Sequence, residues 1–81
     1  MKIRILVSLK KAVLDTQGKA IEAALQKNLG LTQISNVRQG KVIELEIAET
    51  NPEKIKQIVD EMCDKLLVNK IIEDYNYEIL N

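Results

Sequence analysis

Histidine, phenylalanine and tryptophan are absent from this 81-residue chain, and cysteine and proline occur once each. Without histidine, the chain lacks the commonest general base and metal ligand, and no Ser-His or Cys-His arrangement can form. The three glycines, Gly18, Gly30 and Gly40, lie too far apart for a phosphate-binding loop. We therefore expect no catalytic residue, no cofactor site and no metal site on this chain.

Long apolar runs are also missing. The longest contain three residues, as in Ile5–Val7, whereas a bilayer span needs about 20. The amino terminus lacks the apolar stretch of a signal peptide, and a lone cysteine cannot form an internal disulfide. Lys+Arg and Asp+Glu both number 12, so there is no net positive field to hold nucleic acid. We expect a cytoplasmic protein that binds neither membrane nor nucleic acid.

Charge is unevenly distributed along the chain. The first 41 residues hold eight Lys or Arg and two Asp or Glu, so they carry +6 and the remainder carries −6. Two interpretations stay open: the halves neutralise each other within the fold, or they promote self-association. A chain this short has a thin margin of stability, which favours oligomerisation or a partner.

Alternating apolar and polar residues predict four strands. The first is Lys2–Leu9 and the second, shorter one is Ile34–Arg38. A turn at Gly40 then leads into Val42–Ala48, and the last strand runs over Ile71–Leu80.

Two helices are predicted between the strands. Asp15 is placed to cap the first helix and Gly30 to end it in a left-handed conformation. Asn51-Pro52 is a strong start for the second helix, with Asn69 as a left-handed terminator. Its apolar stripe at helical spacing consists of Ile55, Ile58, Val59, Met62 and Leu66.

The order βαββαβ predicts an α+β, ferredoxin-like-related fold in a single domain over residues 1–81. In that fold a four-stranded antiparallel sheet carries two helices on one face. The other face stays available for a partner.

Several side chains that could carry chemistry have simpler interpretations. Cys63 lies beside Asp64 at the border of the second helix's apolar stripe, which favours a buried structural thiol. Glu73 and Asp74 are adjacent on a strand, so they point to opposite faces and cannot act as a carboxylate pair. Tyr75 shares a face with the other tyrosine, where core packing is favoured over RNA stacking.

Three stretches together resemble the PurS subunits of phosphoribosylformylglycinamidine (FGAM) synthase. They are residues 8–18, with the helix start Leu-Asp-Thr-Gln-Gly; residues 37–41, with Arg-Gln-Gly-Lys; and residues 62–75, ending in Ile-Glu-Asp-Tyr. Their order and spacing match over nearly the whole chain. The family usually has Pro where Thr16 stands, and often Pro or Thr where Lys70 stands. Thr16 loses the pre-set first turn but keeps the cap.

The resemblance implies a non-catalytic subunit of a glutamine amidotransferase in de novo purine biosynthesis. In this family a large synthetase subunit (PurL-type) uses ATP and Mg²⁺ to convert formylglycinamide ribonucleotide to FGAM. A glutaminase subunit (PurQ-type) supplies the ammonia from glutamine. The small subunit, a homodimer or tetramer whose apolar sheets pack together, bridges the two and supports ammonia transfer. ATP and Mg²⁺ therefore belong to the synthetase partner.

The resemblance also predicts partner or oligomer contacts at motif residues that we expect at the surface. These are Lys10, Lys11, Val13, Leu14, Gln17, Arg38, Lys41, Glu73, Asp74 and Tyr75. The alternative function is a free-standing regulatory domain that senses a small molecule between paired protomers. It rests on the fold alone, and titration with amino acids and nucleotides separates the two.

Overall fold

The structure is a computed structural model, and it describes residues 1–80. Its elements are β1 (Lys2–Leu9), α1 (Thr16–Asn28), β2 (Gly40–Glu46), α2 (Pro52–Met62), a π-helical turn (Cys63–Leu67) and β3 (Glu73–Leu80). The α+β class, the first strand and both helices agree with the sequence-based predictions. No helix within the described residues is long and apolar enough to cross a membrane.

The sheet has three antiparallel strands in the order β2-β1-β3. β1 is central and pairs Ile5 with Ile43 on one side and with Tyr77 on the other. The alternating apolar side chains of β1 face α2, and the core lies between them. The buried core residues are Ile3, Ile5, Val7, Ile55, Val59, Cys63 and Val68.

The second helix begins as its sequence predicts. The side chain of Asn51 accepts a hydrogen bond from the Glu53 backbone N–H at 2.9 Å, and Pro52 occupies the first turn. The helix then widens into a π-helical turn, in which the Val68 N–H donates to the Cys63 carbonyl at 3.1 Å. The wider turn shifts the helical phase. Leu66 is consequently 83% exposed, although its spacing placed it in the buried stripe.

Two expectations for the end of this helix have different outcomes. Cys63 is fully buried, which confirms the structural thiol. Burial, followed by the nearby Asp60 and Asp64 charges, raises the pKa of its thiol. The left-handed terminator at Asn69 was wrong, because among the non-glycine residues described only Asn36 has a positive φ. Asn69 instead accepts backbone hydrogen bonds from a turn, and β3 starts at Glu73 rather than at position 71.

The first helix has the predicted cap and end but not the predicted position. Asp15 caps it, and Gly30 follows it with a φ of +68°. However, no side chain of α1 belongs to the buried core, which consists of residues from β1, α2 and the turn after α2. The prediction that two helices cover one face of the sheet was therefore wrong for α1.

The predicted strand at residues 34–38 does not form, so the sheet has three strands instead of four. Side chains of α1 occupy the backbone groups that a strand would pair. Gln26 donates to the Ile34 carbonyl at 2.6 Å, and the Val37 N–H donates to Glu22 at 3.0 Å. Asn36 has a φ of +57°, which interrupts an extended strand. The outer edge of β2, where the hairpin partner was expected, stays unpaired among residues 1–80.

We call α1 and the segment that returns beside it, residues 16–39, the arm. Within the arm only Gly18 is buried. The described chain has a radius of gyration of 16.1 Å and extents of 48 × 28 × 15 Å. A compact domain of this length has a radius of gyration of about 12 Å. The arm therefore projects from a small core instead of completing it.

Candidate docking site

The ten predicted contact residues meet at one end of the sheet. β1 is antiparallel to both neighbours, so its carboxyl end lies beside the amino ends of β2 and β3. Ser8 pairs with Gly40 and with Asp74, and Leu9 pairs with Glu73. We call this region the β1 end; it comprises residues 10–14, Gln17, residues 38–41 and residues 73–75. Residues 64 positions apart in the sequence thus become neighbours, as the Lys10–Asp74 contact shows.

The loop after β1 is held by Arg38. Its guanidinium donates to the carbonyl of Lys10 at 3.0 Å, to that of Val13 at 3.3 Å and to that of Leu9 at 3.4 Å. The Lys10 N–H donates to the Ile72 carbonyl at 2.8 Å, which fastens the start of the loop to β3. The loop is therefore hydrogen-bonded to Arg38 on one side and to the residue before β3 on the other.

Two predicted contact residues of this loop point away from the fold. Lys11 is exposed, and Leu14 keeps 69% of its accessible surface. Val13 is half-buried. The loop thus presents an apolar side chain and a cation to solvent on a backbone that is hydrogen-bonded in place.

Asp15 fastens the base of the arm. One carboxylate oxygen accepts from the Gly18 N–H at 2.8 Å and the other from the Gln39 N–H at 2.6 Å. The side chain is almost buried, and these two hydrogen bonds, with that from Gln39 the larger, lower the pKa of Asp15. A Cβ at Gly18 would lie 2.6 Å from the Val37 carbonyl oxygen, so only glycine fits here. Asp15 is thus a structural anion and not a proton donor.

The two acidic residues at the start of β3, Glu73 and Asp74, are engaged within the chain. Asp74 forms an ion pair with Lys10 at 2.7 Å, and Glu73 accepts from the Asn69 N–H at 2.8 Å. The ion pair is solvent-exposed, so it contributes little stability. Its main effect is to fix the position of the Lys10 side chain relative to β3.

Tyr75 faces the core side of the sheet. Its hydroxyl donates to Asp60 of α2 at 2.8 Å, and this hydrogen bond, more than burial, raises the pKa of Tyr75 to about 12. Lys56, at 2.8 Å from Asp60, and Tyr75 both lower the pKa of that carboxyl group. Of the ten predicted contact residues, Tyr75 is the one whose polar group is directed into the chain's own core.

A shallow cleft of about 260 Å³ opens at the β1 end. Gln17, Lys41 and Glu73 of the predicted set line it, together with Val7, Ser8, Leu9, Asp15, Gln39 and Gly40. Both Asp15 oxygens already accept backbone hydrogen bonds, and the chain has no histidine to activate Ser8. No three His, Cys, Asp or Glu side chains in residues 1–80 are grouped to hold a metal ion. The surface is suited to binding and positioning.

Sequence reasoning missed three features of this region. The Asp15–Gly18 spacing predicts the cap, but nothing local indicates that Gln39 shares the carboxylate. The sequence does not indicate that Asp60 is the hydrogen-bond partner of Tyr75, because this pairing depends on how α2 lies on the sheet. Ile71 was assigned to the last strand and is instead 85% exposed in the turn before it.

Comparison with known proteins gives one consistent result. The family model described as PurS, FGAM synthase, matches residues 2–81. The FGAM synthase subunit PurS of Bacillus subtilis is 45% identical over 78 residues, which is 96% of this chain and 90% of that relative. The PurS subunit from Synechocystis is 45% identical over 76 residues, covering 94% of this chain and 75% of its own.

Solved structures agree with these sequences. The structure of B. subtilis PurS superposes with a TM-score of 0.85 at 44% identity, over 99% of this chain and 98% of that one. A chain in the structure of PurLQS from Thermotoga maritima superposes with a TM-score of 0.89 at 38% identity, over 98% and 95% of the two chains.

Proposed function

This chain belongs to the PurS family of FGAM synthase subunits, and we propose that it is the small bridging subunit of that enzyme in de novo purine biosynthesis. The observation that carries the proposal is the match over residues 2–81. The likeness to a chain of PurLQS supports assembly with larger subunits. The chain's own chemistry is consistent with this role, because its charged groups serve capping and pairing instead of catalysis.

In the proposed assembly, the two reactions take place on the partners. A PurL-type synthetase binds ATP and Mg²⁺ and amidates formylglycinamide ribonucleotide, while a PurQ-type glutaminase releases ammonia from glutamine. This chain joins them in the cytoplasm and supports ammonia transfer through the residues of the β1 end. ADP, phosphate, glutamate and FGAM are the products.

Reconstitution tests this function. Purified synthetase and glutaminase are assayed for FGAM formation with and without this chain, using either glutamine or free ammonia as the nitrogen source. A bridging subunit raises the glutamine-dependent rate and leaves the ammonia-dependent rate unchanged, because free ammonia bypasses the glutaminase. An equal glutamine-dependent rate with and without the chain contradicts the proposal.

We further infer that the chain works as a homodimer or as a tetramer built from such dimers. The arm carries the apolar side chains Ile21, Leu25 and Leu29 but adds none of them to the core. Ile43 and Leu45 of β2 are only half-buried on the core face, and the adjacent edge of β2 is unpaired among residues 1–80. In a complete βαββαβ fold, α1 packs on this face of the sheet and the fourth strand pairs with this edge of β2.

A second copy of the chain could cover both the apolar side chains of the arm and the exposed side of β2. If the arm of each protomer lies against the β2 side of the other, the apolar side chains of the arm and of β2 become buried together. Such an exchange of identical elements is a common route to closed dimers. Sedimentation at micromolar concentration tests it, and a purely monomeric chain contradicts it.

A further inference from the structure

The outer edge of β2 is a pairing surface that no segment within residues 1–80 uses. The strand pairs with β1 in one unbroken register over Gly40–Glu46, without a proline or a bulge. Free N–H and C=O groups on such an edge can pair with another chain, and proteins usually block them with proline, bulges, charged side chains or a covering segment. The segment predicted to pair here, residues 34–38, is instead hydrogen-bonded to α1.

One hydrogen bond shows which backbone groups of β2 point outward. The Ile47 N–H donates to the Met1 carbonyl at 2.9 Å, so the backbone groups of Ile47 point towards β1. Hydrogen-bonded and non-hydrogen-bonded pairs alternate along an antiparallel ladder. The odd-numbered residues of β2 therefore bond to β1. The N–H and C=O groups of Val42, Glu44 and Glu46 face the free edge.

The side chains of β2 restrict how another strand can pair with it. Ile43 and Leu45 lie half-buried on the core face, and Glu44 and Glu46 lie exposed on the opposite face. A slip of one residue would place the core face of one strand beside the opposite face of the other, so only every second register keeps apolar side chains together. A second copy of β2 has this same alternation, and it belongs to the homodimer proposed above.

Antiparallel pairing of two β2 strands across a two-fold axis has one register that uses the whole strand. With Ile43 opposite its own copy, all seven residues of β2 are paired. Each Glu44 then lies opposite Val42 of the second copy, and each Glu46 lies opposite Gly40. A shift by two residues in one direction sets Glu44 opposite Glu44, and like charges directly opposite one another destabilise a sheet. The opposite shift leaves the last two residues of β2 unpaired.

We propose that the dimer forms by β2–β2 pairing with Ile43 on the two-fold axis, which joins two three-stranded sheets into one sheet of six strands. The second copy's β2 takes the place of the missing fourth strand, and its arm lies on the core face beside it. Lys41, on the same face as Ile43, then lies opposite Leu45 of the second copy, where its aliphatic stem extends the apolar contact. This inference rests on the homodimer proposed above and specifies its strand pairing.

Cysteine substitutions along the edge measure this register directly. Ile43 faces its own copy in a non-hydrogen-bonded pair, in which Cα atoms are about 4.5 Å apart and a disulfide can form. In Leu45→Cys the two thiols are four residues apart along the strands, or about 13 Å. In Glu44→Cys they are diagonal neighbours at about 7–8 Å, which is too far for a disulfide. The native thiol, Cys63, is fully buried, so the wild-type chain is the background control.

The full-length chains are oxidised mildly, and their masses are measured under denaturing conditions without reductant. Ile43→Cys should appear at twice the monomer mass, whereas Glu44→Cys, Leu45→Cys and the wild type should stay at the monomer mass. The double variant Lys41→Cys/Leu45→Cys should also cross-link, although neither single variant does, because position 41 lies opposite position 45 of the second copy. This second route keeps the test independent of how well Ile43→Cys folds.

Amide hydrogen exchange in the unsubstituted chain is a further readout. The N–H groups of Val42, Glu44 and Glu46 should be protected at high protein concentration and should lose protection on dilution. Those of Ile43 and Leu45 should stay protected, because they bond to β1. Outward N–H groups that are unprotected at every concentration would contradict the pairing.

The outcomes that overturn the proposal differ in what they leave standing. Cross-linking of Glu44→Cys instead of Ile43→Cys overturns the register. A chain that sediments as a dimer but forms no cross-link in any of these variants overturns the strand pairing, and a chain that stays monomeric overturns the dimer as well. The bridging function is tested separately by the glutamine-dependent rate, so its failure is distinguishable from all of these.

Discussion

The two helices of this chain have comparable lengths, but only α2 contributes side chains to the core. α2 buries Ile55 and Val59 completely against β1, whereas α1 buries only Gly18. Ile21 of α1, which has the same side chain as Ile55, remains 41% exposed. The sheet and α2 form a self-contained core, whereas the arm projects from it and leaves its apolar side chains exposed or half-buried.

Within this chain of 81 residues, the core accounts for folding, and the arm and the β1 end are the regions that we propose for assembly. The core uses burial of apolar side chains, which stabilises the folded state in any setting. The arm and the β1 end are held by hydrogen bonds between side chains and the backbone, in which carboxylates accept from N–H groups and Arg38 donates to carbonyls. These bonds fix geometry with little burial. The core is therefore small, and the arm lies outside it.

The largest expected effect compares two isoleucines on the two helices. Ile55→Ala should lower the free energy of unfolding by about 2–5 kcal/mol at every protein concentration, because it leaves a cavity in the core. In the proposed dimer a second copy covers this side chain, so Ile21→Ala should have an effect that depends on protein concentration. Urea unfolding at two protein concentrations, tenfold or more apart, checks both. Equal, concentration-independent losses would remove the distinction between the two regions.

Two glycines provide the next comparison, at the two ends of α1. Gly18→Ala places a Cβ against the Asp15 carboxylate and the Val37 carbonyl, and overpacking of this kind costs about 1–3 kcal/mol. Gly30→Ala has open space around it, and only its φ of +68° is unfavourable, at about 1–2 kcal/mol. Urea unfolding should rank Gly18→Ala as the more damaging change. The reverse order would mean that the base of the arm is not tightly packed.

The carboxylate at the base of the arm should make the protein sensitive to acid. Because the pKa of Asp15 in the folded chain lies below its ordinary value, its stabilising effect is present above about pH 4 and is lost as pH falls through the folded pKa. Asp15→Asn keeps one acceptor oxygen for two donors, so either the Gln39 or the Gly18 N–H loses its acceptor, and Tm at pH 7 should fall by roughly 5 °C. Thermal melts from pH 7 down to pH 3 should show the difference between the two proteins shrinking. A constant difference over that range would exclude the ionised carboxylate as the cause.

The smallest expected effect is on the core side, at Tyr75. The chain has two tyrosines and no tryptophan, so Tyr77→Phe leaves Tyr75 as the only chromophore that titrates. Its phenolate absorbance should appear with a midpoint near pH 12, since Asp60 holds the proton on the hydroxyl. Adding Asp60→Asn should bring the midpoint towards the ordinary value of about 10. No change on that substitution would contradict the hydrogen bond.

Local patterns predicted features of both the core and the arm. Alternation in β1, the Asn51 cap with Pro52, the Asp15 cap and the glycine after α1 are all present, since each depends on residues close in sequence. The π-helical turn was not predicted, because periodicity assumes one constant turn and a single wider turn moved Leu66 to the surface.

The arm was the part that sequence reasoning misjudged. Its helix carries apolar residues at helical spacing, as in helices that lie on a sheet, but this pattern does not indicate which chain supplies the sheet. The strand predicted at residues 34–38 does not form because Gln26 donates to the Ile34 carbonyl and Glu22 accepts from the Val37 N–H, and no strand propensity describes such bonds. The contact residues were predicted from motif resemblance, and antiparallel pairing then brought them to one end.

Hydrogen exchange at a series of protein concentrations tests the separation of core and arm most directly. If a second copy covers the arm, amides of α1 should lose protection on dilution below the dimer dissociation constant, while those of β1 and α2 keep theirs. The loss should coincide with the appearance of monomer in sedimentation. Protection of α1 that equals that of β1 and does not change on dilution would contradict the account, because the arm would then be stable without a partner.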